Sequence, residues 1–237
     1  MYLLLLLFIA FHEFGIFMLK ENEQTVEQGS MLVSSMNESQ FIQIILAQTP
    51  SWTLMYITVF TVYFYMSEYN SGFYKNYISM HNARIYSVFS KIIIMGLFTL
   101  IMFLVMVIFD LIGRAIFFNN ASIGDLGVFA KLLVSQILLH WAFSMVILFI
   151  TMVIKSIIPS IVTGVILVLN VPGMIVSSVE SLISNGDLSS YLLVNTIVST
   201  KDFNKLNDLI HVVGVAAIFI IIFSFISTRY KMKEDLG

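Results

Sequence analysis

Apolar positions in this chain come in long blocks rather than in strand-like alternation. Six blocks are separated by polar stretches, at about residues 2–19, 44–66, 92–109, 128–154, 157–176 and 209–226. Each approaches the roughly 20 residues a helix needs to cross a bilayer. The pattern predicts one all-α, polytopic membrane domain over residues 1–237, with six transmembrane helices. The second block is the hardest to bound. Trp52 to Met66 makes only about 22 Å of helix at 1.5 Å per residue, so the span is extended back to Ile44, with a kink at Pro50. Only Lys155 and Ser156 separate the fourth block from the fifth, a tight turn between antiparallel helices, and Pro159 suits the first turn of the second. Asn170 and Pro172 interrupt the fifth block toward its far end.

The polar segments give this layout a direction. Lys20 to Phe41 and Asp110 to Gly127 are acidic or glycine-rich and read as outside loops, the latter with a short amphipathic piece at 111–118. Ser177 to Asp208 also lies outside. Its apolar run Tyr191 to Val198 pairs with Leu182 and Ile183 across an Asn185-Gly186 turn, as a re-entrant element. Ser67 to Lys91 differs, carrying Lys75, Arg84 and Lys91 against one acid, Glu68. Within it Phe73, Tyr77 and Met80 fall at i, i+4 and i+7, the apolar face of a short helix over about 70–84, and Gly72 permits a sharp turn as the second span ends. Assigning this island, the 155–156 turn and the C-terminal tail to the inside places there seven of the twelve Lys and Arg residues, and ten of the fourteen acids outside. Positive residues favour the cytoplasmic side, so both termini are expected there. The island helix has two readings: a foot that enters a groove on a soluble partner, or a helix resting on the lipid surface alone.

Composition narrows the classes. The chain is 59% hydrophobic and 11% charged, with a mean hydropathy of +0.95. A soluble fold of 237 residues has no interior able to hide that much apolar surface. A net charge of −2 argues against nucleic acid as a partner. With no cysteine, thiolate chemistry, disulfides and Cys-ligated zinc are excluded. The opening MYLLLLLFIA has no Lys or Arg ahead of it and no small-x-small site after it, and is expected to stay as the first span.

Catalytic chemistry is sparse. No GxxxxGK[ST] phosphate loop occurs, and the HExxH pattern begun by His12-Glu13 fails at Ile16. His12, Glu13, Gln136 and His140 are polar residues inside spans, functional candidates by position or side chains hydrogen-bonded near an interface. His12, Glu13, His140 and His211 are too scattered to be read as a metal site, so neither a metal nor a catalytic residue is assigned.

The order Glu68, Gly72, Lys75, then Arg84 and Lys91 resembles the segment after the second span of ABC-2 type transporter permeases. The six spans, the short turn between the fourth and fifth, and the partly apolar outer segment before the sixth resemble the same family. Two features depart from it: His81-Asn82-Ala83 stands where relatives often carry Pro before the Arg, and no amphipathic helix precedes span one. The resemblance implies a permease subunit of a bacterial ABC exporter in the plasma membrane. Glu68, Gly72, Phe73, Lys75, Tyr77, Met80 and Arg84 would couple it to separate nucleotide-binding subunits that hold ATP and Mg. A second permease subunit, identical or paralogous, would complete the path, with Tyr56, Thr163 and Asn170 lining it. The Phe- and Met-rich composition suits an amphipathic peptide or lipid-like cargo. The alternatives are an energy-independent channel or scaffold in the membrane, and a membrane-embedded metal hydrolase.

Overall fold

In a computed structural model the chain is described over residues 2–23, 33–72, 82–183, 188–199 and 201–233. These residues form nine α-helices and no strand. They are α1 (Tyr2–Glu23), α2 (Glu38–Ala47), α3 (Trp52–Asn70), α4 (Ala83–Phe118), α5 (Leu126–Ile154), α6 (Ile157–Val168), α7 (Val171–Ile183), α8 (Leu193–Val198) and α9 (Leu206–Lys233). Three of them, α4, α5 and α9, are long and apolar enough to cross a membrane, and the bent pair α6–α7 makes a fourth if it is one span. The chain is thus an all-α protein of membrane-spanning character.

Local chemistry sets the helix bounds. Asn37 caps α2 reciprocally: its side chain accepts from the Gln40 amide while the Gln40 side chain accepts from the Asn37 amide, both at 3.0 Å. Helix therefore begins at Glu38, ahead of the span expected from Ile44. The kink expected at Pro50 is a full break over 48–51, after which the Ser51 hydroxyl caps α3 by accepting from the Leu54 amide. No proline interrupts the chain between Ala83 and Phe118, so the stretch expected to be loop from Asp110 onward continues α4 to a length of 36 residues. Asp125 caps α5 through the amides of Gly127 and Val128 at 2.7 and 3.0 Å. Between α6 and α7 Asn170 adopts a left-handed conformation (φ 56°) and the axis bends by 41°, at the place where Asn170 and Pro172 predicted an interruption.

α5 is the central helix. It is buried around most of its circumference, packs most extensively on α9, and also meets α3, α4, α6 and α8. α6 meets α3 closely at Gly164, where any Cβ would run into Thr58 Cγ2 and approach Ile147 Cδ1 at 3.3 Å. Small residues at such seams let membrane helices come close. α1 lies outside this group against α4, running parallel to it, with His12 beside Asp110 and Phe17 beside Phe117. On α4 the exposed residues Phe89, Ile93, Leu97, Leu104, Ile108 and Ile116 form one apolar stripe along the helix, as lipid requires. α8, within the segment expected to be re-entrant, is buried through Leu193, Val194 and Ile197 against α2, α5 and α9.

The two ends of the bundle differ in charge. The ends of α3, α5 and α9 and the start of α4 meet at one end, tied by Glu68 to Lys91, by Arg84 to the Met232 carbonyl, and by Lys155 lying over the Tyr69 ring. The described part of that end carries Arg84, Lys91, Lys155, Arg229, Lys231 and Lys233, with Glu68 its acid. The opposite end is mixed, with Glu21, Glu38, Asp125, Glu180, Asp202 and Asp208 beside Lys20, Arg114, Lys131, Lys201 and Lys205.

Candidate functional site

The basic end is where the sequence placed coupling. α3 ends at Asn70 and Gly72 turns with φ +66°, the left-handed conformation its lack of a side chain allows. Phe73, Lys75, Tyr77 and Met80 lie outside the described residues, as does most of the helix expected over 70–84. Its two flanks are described, and they are engaged within the chain. Lys91 Nζ donates to Glu68 Oε1 and to Ser87 Oγ, each at 2.8 Å, and only 4% of Lys91 is exposed. Arg84 donates to the Met232 carbonyl at 3.0 Å, near the C-terminus of α9, where a cation also meets the negative end of the helix dipole. These two groups clamp the ends of α3, α4 and α9 together, with Glu68 ahead of residues 73–81 in the chain and Arg84 and Lys91 after them.

The three residues expected along a path are not brought together. Tyr56 lies between the rings of Phe8 and Phe98, at centroid separations of 4.8 and 5.8 Å, and lines a cavity between α1 and α3. Thr163 is on α6 and donates to the Pro159 carbonyl of its own helix at 2.9 Å. Asn170 donates to Asn195 Oδ1 of α8, and Asn195 donates to the Ser189 carbonyl at 2.8 Å, so Asn170 fastens the α6–α7 bend to the segment that carries α8. It borders a different and smaller cavity, of about 100 Å³.

Of the polar residues expected inside spans, His12 and Glu13 belong to a buried cluster that sequence reasoning only half found. His12 Nε2 meets Asp110 Oδ1 at 2.5 Å. One helical turn further along α4, Arg114 donates to Glu38 Oε2 at 2.6 Å, to the Met36 carbonyl, and to the Ser122 carbonyl at 3.3 Å. Asp110, Arg114 and Glu38 are each 0% exposed, where all three had been expected in outer loops. Gly113 completes the seam: a Cβ there would stand 2.8 Å from Glu13 Oε2. The cluster thus sets three carboxylates against one guanidinium and one imidazole. Glu13 Oε1, Glu38 Oε1 and Asp110 Oδ2 have no hydrogen-bond partner among the described residues. Burial, with the Asp110 charge adding to it, pushes the Glu38 carboxyl up to about 7 against the pull of Arg114. The missing signal was local: Asp110, Gly113 and Arg114 recur at i, i+3 and i+4, one face of a helix that nothing yet terminates.

Gln136 and His140 are both on α5 and away from that cluster. His140 Nδ1 lies 2.8 Å from the Gln136 carbonyl and the ring stands edge-on to Phe103, with Nε2 unpaired among the described residues. No group of three or more His, Asp or Glu among the described residues is placed to hold a metal ion.

The cavity beside Tyr56 joins two of the predicted residues. It measures about 280 Å³, runs between α1 and the α2–α3 break, and has His12 and Tyr56 in its wall. The cluster and this cavity share His12, which faces Asp110 through Nε2 and takes part in the cavity lining. In comparisons with models of protein families, with curated proteins and with solved structures, nothing matches this chain.

Proposed function

We propose that the chain is the permease subunit of an ATP-binding cassette exporter in a bacterial plasma membrane, with six spans and both termini cytoplasmic. The spans are α1, the stretch from about Ile44 through the break into α3, α4, α5, the bent α6–α7, and α9. The first turn of α2, with Glu38, lies ahead of the second span at the outer surface. Two such subunits, identical or paralogous, form a path for an amphipathic peptide or lipid-like cargo. ATP and Mg are held by separate nucleotide-binding subunits, whose closure pushes the 73–81 segment and tilts α3 and α4, a rigid-body route to alternating access.

The observation that carries this reading is the charge asymmetry of the bundle. Six cations and a single acid gather where α3, α4, α5 and α9 meet among the described residues, and the cytoplasmic face of a membrane protein is rich in Lys and Arg. The contacts Glu68–Lys91 and Arg84–Met232 tie together the ends of α3, α4 and α9, and the proposed foot is the stretch of chain between Glu68 and Arg84. A push delivered there reaches α3, α4 and α9 at once.

The test is purification of the intact complex from native membranes through a tag on this chain. The expected result is a co-purifying subunit with a phosphate loop and ATP hydrolysis that disappears when the lysine of that loop is replaced. A complex devoid of any nucleotide-binding chain, in membranes where cargo export persists, would overturn the proposal.

A further inference from the structure

We infer that the cavity between α1 and the α2–α3 break is a binding slot for one acyl chain of an amphiphile, loaded sideways from the membrane. The inference rests on the proposed reading of α1 and α3 as membrane spans and not on the ATPase partner. Four observations carry it. First, the lining on α1 extends from Leu7 to Leu19, about 18 Å of helix at 1.5 Å per residue, so the volume of about 280 Å³ is spread along a narrow slot. An apolar cavity of about 150 Å³ takes the six carbons of benzene, so this one has room for roughly ten carbons, one chain rather than two.

Second, one wall of the slot carries no side chain at its centre. Gly15 lies in the wall, and a Cβ placed on it meets no atom within 4 Å. Third, the mouth faces lipid. Phe11 and Trp52 line the slot, stack at 5.2 Å with their planes 10° apart, and remain 51% and 57% exposed, so they form its rim between α1 and α3. With α1 and α3 as spans of the proposed topology, the medium at that rim is hydrocarbon, and acyl chains are what it supplies. Fourth, the slot has polarity along its length. Gln48 and Thr53 line it beside the α2–α3 break, whereas Leu7 and Val59 line its other end. A chain therefore lies with its head toward the break and its methyl end toward the basic end of the bundle. The Phe8–Tyr56 pair walls the slot near its Leu7 and Val59 end, and His12 ties it to Asp110 behind.

Trp52 provides the readout, because the only other tryptophan is Trp141. In full-length Trp141→Phe protein purified in detergent, titration with a fatty acid dibrominated in mid-chain is expected to quench Trp52 saturably. A parallel titration with a phosphatidylcholine carrying the same dibrominated chain shows whether a single-chain amphiphile or a membrane lipid is the source. Saturation with either supports the slot. Gly15→Leu, which fills open space, is expected to weaken the saturable component at least tenfold with an unchanged melting temperature, and Val59→Phe to do the same from the α3 wall. Quenching that rises linearly with both probes, or a saturable component that both filling variants leave intact, would overturn the inference.

Discussion

His12 and Asp110 meet at 2.5 Å although 98 residues separate them in the chain, and this contact holds α1 to α4. Both side chains are almost wholly buried. Removing one member of such a pair leaves the other charge without its partner in an apolar setting and typically costs about 3–5 kcal/mol, more than the intact pair contributes. Asp110→Ala and His12→Ala are each expected to lower stability strongly. The double variant is expected to lose clearly less than the two losses added, because it leaves no orphan. Unfolding in detergent across the four proteins measures the coupling. Additive losses would show that the two groups do not act as a pair.

The neighbouring Arg114–Glu38 contact predicts a pH dependence of definite sign. Burial raises the Glu38 carboxyl from 4.5 to about 7 in the folded protein. The folded state therefore binds a proton between those values that the unfolded chain has released. The contribution of this group is fully present below about 4.5 and is lost as pH rises through about 7. Each pH unit across that interval is equivalent to about 1.4 kcal/mol, which bounds the effect at about 3 kcal/mol. Thermal unfolding followed from pH 5 to pH 8 is expected to show stability falling, with a shallower fall in Glu38→Gln. Identical slopes for the two proteins would contradict the assignment.

What the sequence made legible, and what it hid, follows from the range of the interactions. Blocks of apolar residues revealed the long helices, since lipid imposes their length and hydrophobicity one helix at a time. Breaks with local causes were legible as well: Pro50 between α2 and α3, and Asn170 between α6 and α7. The start of α2 was legible in principle, because Asn37 and Gln40 stand at the spacing of a reciprocal cap. The acidic look of Glu38 outweighed that signal and sent the segment to a loop. The cluster was hidden for another reason. Asp110 and Arg114 read as loop residues until α1 supplies His12 and α2 supplies Glu38, and pairing at such separations is invisible to a reading made along the chain. The slot at Gly15 was hidden for the same reason, being a space between helices that only their packing creates.

Close packing of α6 on α3 predicts a compensating pair. A methyl on residue 164 collides with Thr58 Cγ2, while the next neighbours, Ile147 Cδ1 and Thr58 Oγ1, stand at 3.3 and 3.4 Å. Gly164→Ala is expected to destabilise by about 1–3 kcal/mol through overpacking. Thr58→Ser removes that methyl and keeps the hydroxyl that donates to the Leu54 carbonyl at 2.8 Å, so it is expected to restore most of the loss. Melting temperatures of the two single variants and the double variant decide this. A double variant no more stable than Gly164→Ala would place the constraint elsewhere.

Arg84 separates a pin from a charge sensor. Its guanidinium donates to the Met232 carbonyl close to the end of α9, so within the chain it acts as a hydrogen-bond donor between α4 and α9. In the permease reading, that pin transmits the push on the 73–81 segment to α9. Arg84→Gln keeps a donor and loses the charge; Arg84→Glu replaces the donor with an acceptor and sets a carboxylate against the negative end of the α9 dipole. Both variants are expected to insert into the membrane at normal levels, because this contact is at the bundle's end and not among its spans. ATP turnover by the purified complex, measured with and without an amphipathic peptide, is expected to keep its stimulation in Arg84→Gln and to lose it in Arg84→Glu. Loss in both would show that the positive charge itself is read by the partner. Survival of full stimulation in Arg84→Glu would remove this end of the bundle from the coupling path.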